Sequence, residues 1–162
     1  MTPAQFPALI PSNIQALSTD QVVALDSAQV SALTTGQVRA LTTAQAAAIE
    51  TADLAGLGTA SIRALETDDV KALTTDQIVA LSSNQIGALS TAQVRALTTD
   101  QVVAIETADL RPMSTAQIAA LRTDQVAALT TDQVASLTSA EVRVLSTANI
   151  QALSTDQIVA LD

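Results

Sequence analysis

Cysteine, histidine, tryptophan and tyrosine are absent from the 162 residues, and Phe6 is the only aromatic. Without cysteine there can be no disulfide and no thiolate metal site, and the redox compartment is left open. Without histidine, and with Lys71 as the sole lysine, the many Ser and Thr hydroxyls lack the neighbouring base that makes a nucleophile. No catalytic residue is therefore assigned and an enzyme is not expected, nor is any cofactor. Seven cations face sixteen carboxylates, a net charge of −9, and no basic cluster is present to grip a phosphate backbone, so nucleic acid is not an expected partner. No long apolar run occurs, so no membrane-spanning helix is expected. The opening "MTPAQFPALIPSN" lacks the cationic and apolar regions of a signal peptide, which would place any export signal outside this chain.

What is present is 48% apolar residues, nearly all Leu, Val, Ile and Ala, arranged with a period of eight. From Ile14 the chain reads IQALSTDQ, VVALDSAQ, VSALTTGQ and onward through eighteen whole octads to Gln157, then the partial unit "IVALD". Numbered V-x-A-L-[S/T]-T-[D/A]-Q, positions 1 and 4 are always apolar, position 6 is always Thr or Ser, and position 3 is Ala in fourteen units. Positions 2 and 7 vary most. Recurrence marks buried or geometric positions and variation marks solvent.

One continuous helix cannot use this pattern. Eight residues at about 100° each advance the apolar stripe by roughly 80° per unit, so it circles the helix and faces nothing. Strands fit poorly as well, because positions 1, 3 and 4 do not alternate; a β-solenoid is the alternative. The reading adopted is an all-α solenoid of very short helices, one per octad. Ser18-Thr19-Asp20-Gln21 has the form of a capping box, with Leu17 and Val22 placed as a hydrophobic staple. The pair recurs at Thr34, Thr42, Thr74, Ser82, Ser90, Thr98, Ser114, Thr130, Thr138 and Ser154. Pro3 and Pro11 both fall at position 6; proline favours the first helical position, which makes position 5 the N-cap. The position 6 hydroxyl would then bond to the backbone of a neighbouring unit, or be the cap itself. Helices this short do not persist alone, so Val/Ile at 1, Ala at 3 and Leu at 4 must bury against neighbouring units, as in a quasi-one-dimensional rod. The number of octads per coil is not fixed by the pattern.

Residues 1–13 keep the register in degraded form and are expected to be an N-terminal capping segment; residues 14–162 are the repeat solenoid. No matching cap follows Asp162, which implies a fragment of a longer array or end-to-end self-association through the C-terminus. "AIETADLAGLGTAS" (48–61) and "AIETADLRPMSTAQ" (104–117) share Ile-Glu-Thr-Ala-Asp-Leu seven octads apart, read as duplication of a seven-unit block rather than a recurring bend or docking point. Glu66, Asp68 and Asp69 form the densest acidic cluster. Oxygen ligands can hold Ca²⁺, but without a Gly-punctuated loop the trio reads as first-turn acids facing a helix dipole.

The octad, as in "VAALTTDQ" (126–133) and "VRALTTAQ" (38–45), resembles octapeptide arrays of very large bacterial secreted or cell-surface proteins, often adhesin-like or haemolysin-like. The resemblance runs from Ile14 to the C-terminus and implies an extracellular stalk or scaffold. The expected function is a structural spacer or protein-interaction rod, its partners proteins or neighbouring modules of the same chain. The alternative is a binding module, using rows of Thr for ice or polysaccharide, or acidic clusters for calcium.

Overall fold

A computed structural model describes residues 2–161. Met1 and Asp162, the outer bounds of the two expected segments, lie outside the described residues. Among those described, all regular structure is helical: one 3-10 helix, Pro3–Ala8, and nineteen α-helices of four to six residues, one per octad. The β-solenoid alternative is set aside, and the chain is an all-α array of short helices.

The chain divides into two compact units, residues 1–81 and 82–162. The first holds the 3-10 helix, α1 (Pro11–Gln15), α2 (Thr19–Val23), α3 (Ser27–Ser31), α4 (Thr35–Arg39), α5 (Thr43–Ala48), α6 (Thr51–Leu54), α7 (Thr59–Ala64), α8 (Thr67–Ala72) and α9 (Thr75–Ala80). The second holds α10 (Ser83–Ala88), α11 (Thr91–Ala96), α12 (Thr99–Ala104), α13 (Thr107–Leu110), α14 (Thr115–Ala119), α15 (Thr123–Ala128), α16 (Thr131–Ala135), α17 (Ser139–Arg143), α18 (Thr147–Ala152) and α19 (Thr155–Val159).

Within each unit a helix packs on the helix three places later: α2 on α5 and α5 on α8 in the first, α12 on α15 and α15 on α18 in the second. A coil therefore holds three octads. The 3-10 helix and α1 obey the same rule, packing on α3 and α4, with Phe6 fully buried.

Position 5 is the N-cap throughout. Ser18 is extended at φ −71°, ψ 161°, and its hydroxyl accepts from the Gln21 amide; Thr34, Thr42, Thr74, Ser90, Thr98, Ser114, Thr130, Thr138 and Ser154 accept in the same way. Ser82 departs: its hydroxyl donates to Gln85 Oε1 at 2.8 Å. Pro3 and Pro11 stand at the first helical position. Where the helix runs through position 3, the corner is two extended residues, such as Leu81 (φ −70°, ψ 133°) then Ser82 (φ −70°, ψ 159°). No described residue has positive φ, so these corners make no demand for glycine, and four glycines suffice for the whole chain.

Positions 8, 1 and 4 point inward. In α11 and the corner that follows it these are Gln93, Val94 and Leu97, at 2%, 0% and 0% exposure, while Arg95 is exposed and Ala96 half-buried. Position 3 is thus mostly a half-buried flank rather than the core position expected of it. The polar member of the inward set is position 8.

Candidate functional site

The chemistry that recurs along the chain is a ladder of buried glutamines. Five- and six-residue helices leave several backbone carbonyls at each C-terminal end with no partner inside the helix. Burying them unpaired would cost roughly 1–3 kcal/mol apiece. Gln45 shows the solution. Its Oε1 accepts from the Thr42 amide at 2.9 Å, completing the capping box of α5. Its Nε2 donates to the carbonyls of Ile14 at 2.8 Å and Leu17 at 2.7 Å, at the corner between α1 and α2.

One side chain thereby caps the start of its own helix and the end of another in the coil before. Gln77 does the same to Ala46 and Ile49, Gln125 to Val94 and Leu97, and Gln133 to Val102 and Ile105. The carbonyls lie 31 and 28 residues back in each case. The task needs an acceptor and a two-proton donor on one side chain of this length, which is Gln among the twenty. The sequence reading took this residue as a capping-box member only.

Six octads carry something else at position 8: Asp53, Ser61, Asp69, Asp109, Glu141 and Asn149, all buried. Asn149 still donates to Leu121 O at 3.3 Å. Asp53 and Asp109 accept instead from the Ser27 and Ser83 hydroxyls, each at 2.5 Å. The two aspartates lie in the two "IETADL" segments, and the pairs repeat seven octads apart, in line with block duplication. They, and Thr123 to Asn149 Oδ1 at 3.3 Å, are the bonds that position 6 hydroxyls make among the described residues. Their partners are side chains, not the backbone expected.

Most position 6 residues are exposed. Thr19, Thr43 and Thr67 occupy equivalent first positions in the stacked helices α2, α5 and α8.

The acidic trio is split. Asp69 is turned inward at 3% exposure and accepts from the Glu66 amide at 3.2 Å. Burial raises its carboxyl above the ordinary value, and the Glu66 and Asp68 charges push the same way, while the Glu66 hydrogen bond opposes them. Glu66 stands 3.5 Å from Arg39 on the surface, and Asp68 is exposed. Among the described residues no group of three or more Asp, Glu, His or Cys is arranged to hold a metal ion.

Arg122 replaces the hydroxyl at one N-cap. Its guanidinium pairs with Asp124 at 2.8 Å and donates to the Arg95 and Leu97 carbonyls. The pairing holds Asp124 below the usual carboxylate range. Among described residues no helix is long and apolar enough to cross a membrane.

These features define a class: an all-α solenoid of capped octads, three per coil, tied by buried amides. The sequence pattern of the ALTTAQ repeat matches residues 1–35, 46–83, 79–104, 102–139 and 135–162. The chain belongs to the ALTTAQ repeat family. No curated protein matches it.

Proposed function

We propose that the chain is a non-enzymatic structural module, a spacer or scaffold segment within a larger bacterial protein that is secreted or displayed at the cell surface. One observation carries this reading. The recurring polar groups at positions 5 and 8 are consumed in capping helices and joining coils, while variation concentrates on the exposed positions 2 and 7. A surface built this way sets length and spacing. The resemblance to arrays of large secreted and surface proteins supports the location. Excising one coil, residues 114–137, from the protein that carries the array tests the idea. Function should return when any other 24-residue coil of the array is inserted there. A binding or catalytic activity restored only by residues 114–137 themselves would sink the spacer reading.

Its partners on this reading are proteins, including further copies of the chain stacked end to end. Exposed apolar side chains near one end, Ile150, Ile158 and Val159, support that contact, as do two sets of ladder groups. The side-chain amides of Gln5, Asn13 and Gln21 donate to nothing among the described residues, and the Leu145 and Leu153 carbonyls accept nothing. A sedimentation profile that stays monomeric as concentration rises contradicts stacking.

A second reading, binding through rows of threonine, rests on the exposed and stacked Thr19, Thr43 and Thr67. Ice-recrystallisation and polysaccharide-binding assays that give no signal dispose of it.

A further inference from the structure

Position 8 lacks Gln in three successive octads at one place only in the chain, Asp53, Ser61 and Asp69. With three octads per coil, these residues fill one whole turn: the boundary between the coil α3–α5 and the coil α6–α8. At the boundary below, Gln37 donates to Phe6 O at 2.6 Å and Leu9 O at 2.7 Å, and Gln45 donates to Ile14 O and Leu17 O. On the far side, Gln77 restores the pattern, donating to the Ala46 and Ile49 carbonyls.

Along the α3–α5/α6–α8 boundary the corresponding corner carbonyls, those of Leu25, Leu33 and Leu41, accept no hydrogen bond among the described residues. The polar links that cross it include the Ser27 hydroxyl to Asp53 Oδ1 and the Arg39–Glu66 ion pair, whose side chains are 68% and 60% exposed and which adds little in water. Gly56 lets the two backbones approach: a Cβ there would lie 2.9 Å from Ser27 O. The position 8 amide rungs that join other coils are missing at this boundary.

We propose that this boundary is a built-in yield point, the place where the first unit parts when the array is strained or heated. In a solenoid each coil is stabilised only by its neighbours, so opening begins at the weakest interface. The inference goes beyond the spacer reading and stands without it.

Hydrogen exchange on the full chain tests the proposal. Ordinary fraying gives protection that rises gradually inward from the 3-10 helix. A yield point gives a step: residues 3–49 exchange together, faster than α6–α9. The double variant Ser61→Gln/Asp69→Gln supplies amides facing the Leu33 and Leu41 carbonyls. It should slow exchange of that block roughly tenfold, about the effect of 1.4 kcal/mol. The variant Gln37→Ser/Gln45→Asp should move the step one coil toward the N-terminus. Circular dichroism establishes that each variant remains helical. A smooth gradient in the native chain, or a step indifferent to the double variant, overturns the proposal.

Discussion

Replacing Gln133 by Leu removes one rung of the ladder while keeping most of the side-chain volume. Gln133 is 2% exposed. Its Nε2 lies 2.9 Å from Val102 O and 2.8 Å from Ile105 O, and its Oε1 lies 2.9 Å from the Thr130 amide. Leucine leaves the buried Ile105 carbonyl and one helix-starting N–H without partners, while Val102 O keeps only its bond from the Ile105 amide. Each orphan costs roughly 1–3 kcal/mol, and burying an apolar side chain in place of the amide offsets part of that. The net expectation is a loss of about 1–4 kcal/mol, or roughly 3–12 °C in melting temperature for a chain of this size.

Gln133→Glu separates the two roles. It keeps an acceptor for Thr130 but aims a carboxylate at two carbonyls. Its folded pKa is then raised, so the damage is small below the ordinary glutamate range and grows as pH rises through the raised value. Urea and thermal melts followed by circular dichroism at two pH values measure both variants. If Gln133→Leu costs no more than an exposed substitution, under about 0.5 kcal/mol, buried amides do not hold the coils together.

Four further outcomes follow from the same geometry. Leu97→Ala, at 0% exposure, should cost about 2–5 kcal/mol; Arg95→Ala should cost under about 0.5 kcal/mol, and equal losses in denaturant melts would invert the inside and outside of the coil. Gly56→Ala should destabilise by about 1–3 kcal/mol, because its new methyl meets backbone oxygens of Ser27 and Asp53 at 2.9 and 3.0 Å, although alanine is the usual residue at that position. Gly58→Ser, at an N-cap with open space around it, should instead gain a few tenths of a kcal/mol, so the two melts should shift in opposite directions. Asp69 binds its proton more tightly folded than unfolded, since burial raises its pKa; stability should fall as pH climbs from the ordinary carboxylate value through the raised one, and Asp69→Asn should remove that slope from a plot of urea midpoint against pH.

The short helices were legible in the sequence because capping is local: Ser18 and Gln21, three residues apart, state the start of α2 without reference to the rest of the chain. The prolines at position 6 pointed to position 5 as the cap but left position 6 as an alternative, which the helix starts resolve in favour of position 5. The coil was not legible, because the partners of a Gln amide lie 28 and 31 residues back and identical octads give no reason to prefer one distance. Gln at position 8 was underread for a related reason. A glutamine is ordinarily exposed, and only the orphan carbonyls of a neighbouring coil explain its burial. Ala at position 3 was overread as core, since small size signals close approach without saying on which side. Glu66, Asp68 and Asp69 are adjacent in sequence, yet the inward turn of position 8 takes Asp69 away from the surface that holds the other two.

The central claim is that each coil holds three octads, joined by the glutamine ladder. The chain has no cysteine, so pairs of introduced cysteines can be spin-labelled cleanly at exposed position 2 sites within the second unit. Val103 paired with Ala127 spans three octads, and Val103 paired with Ala119 spans two. The account predicts that the 103–127 pair gives the shorter distance, near the roughly 10 Å spacing of packed helices. A shorter distance for 103–119 would mean two octads per coil, and the ladder described here could not exist.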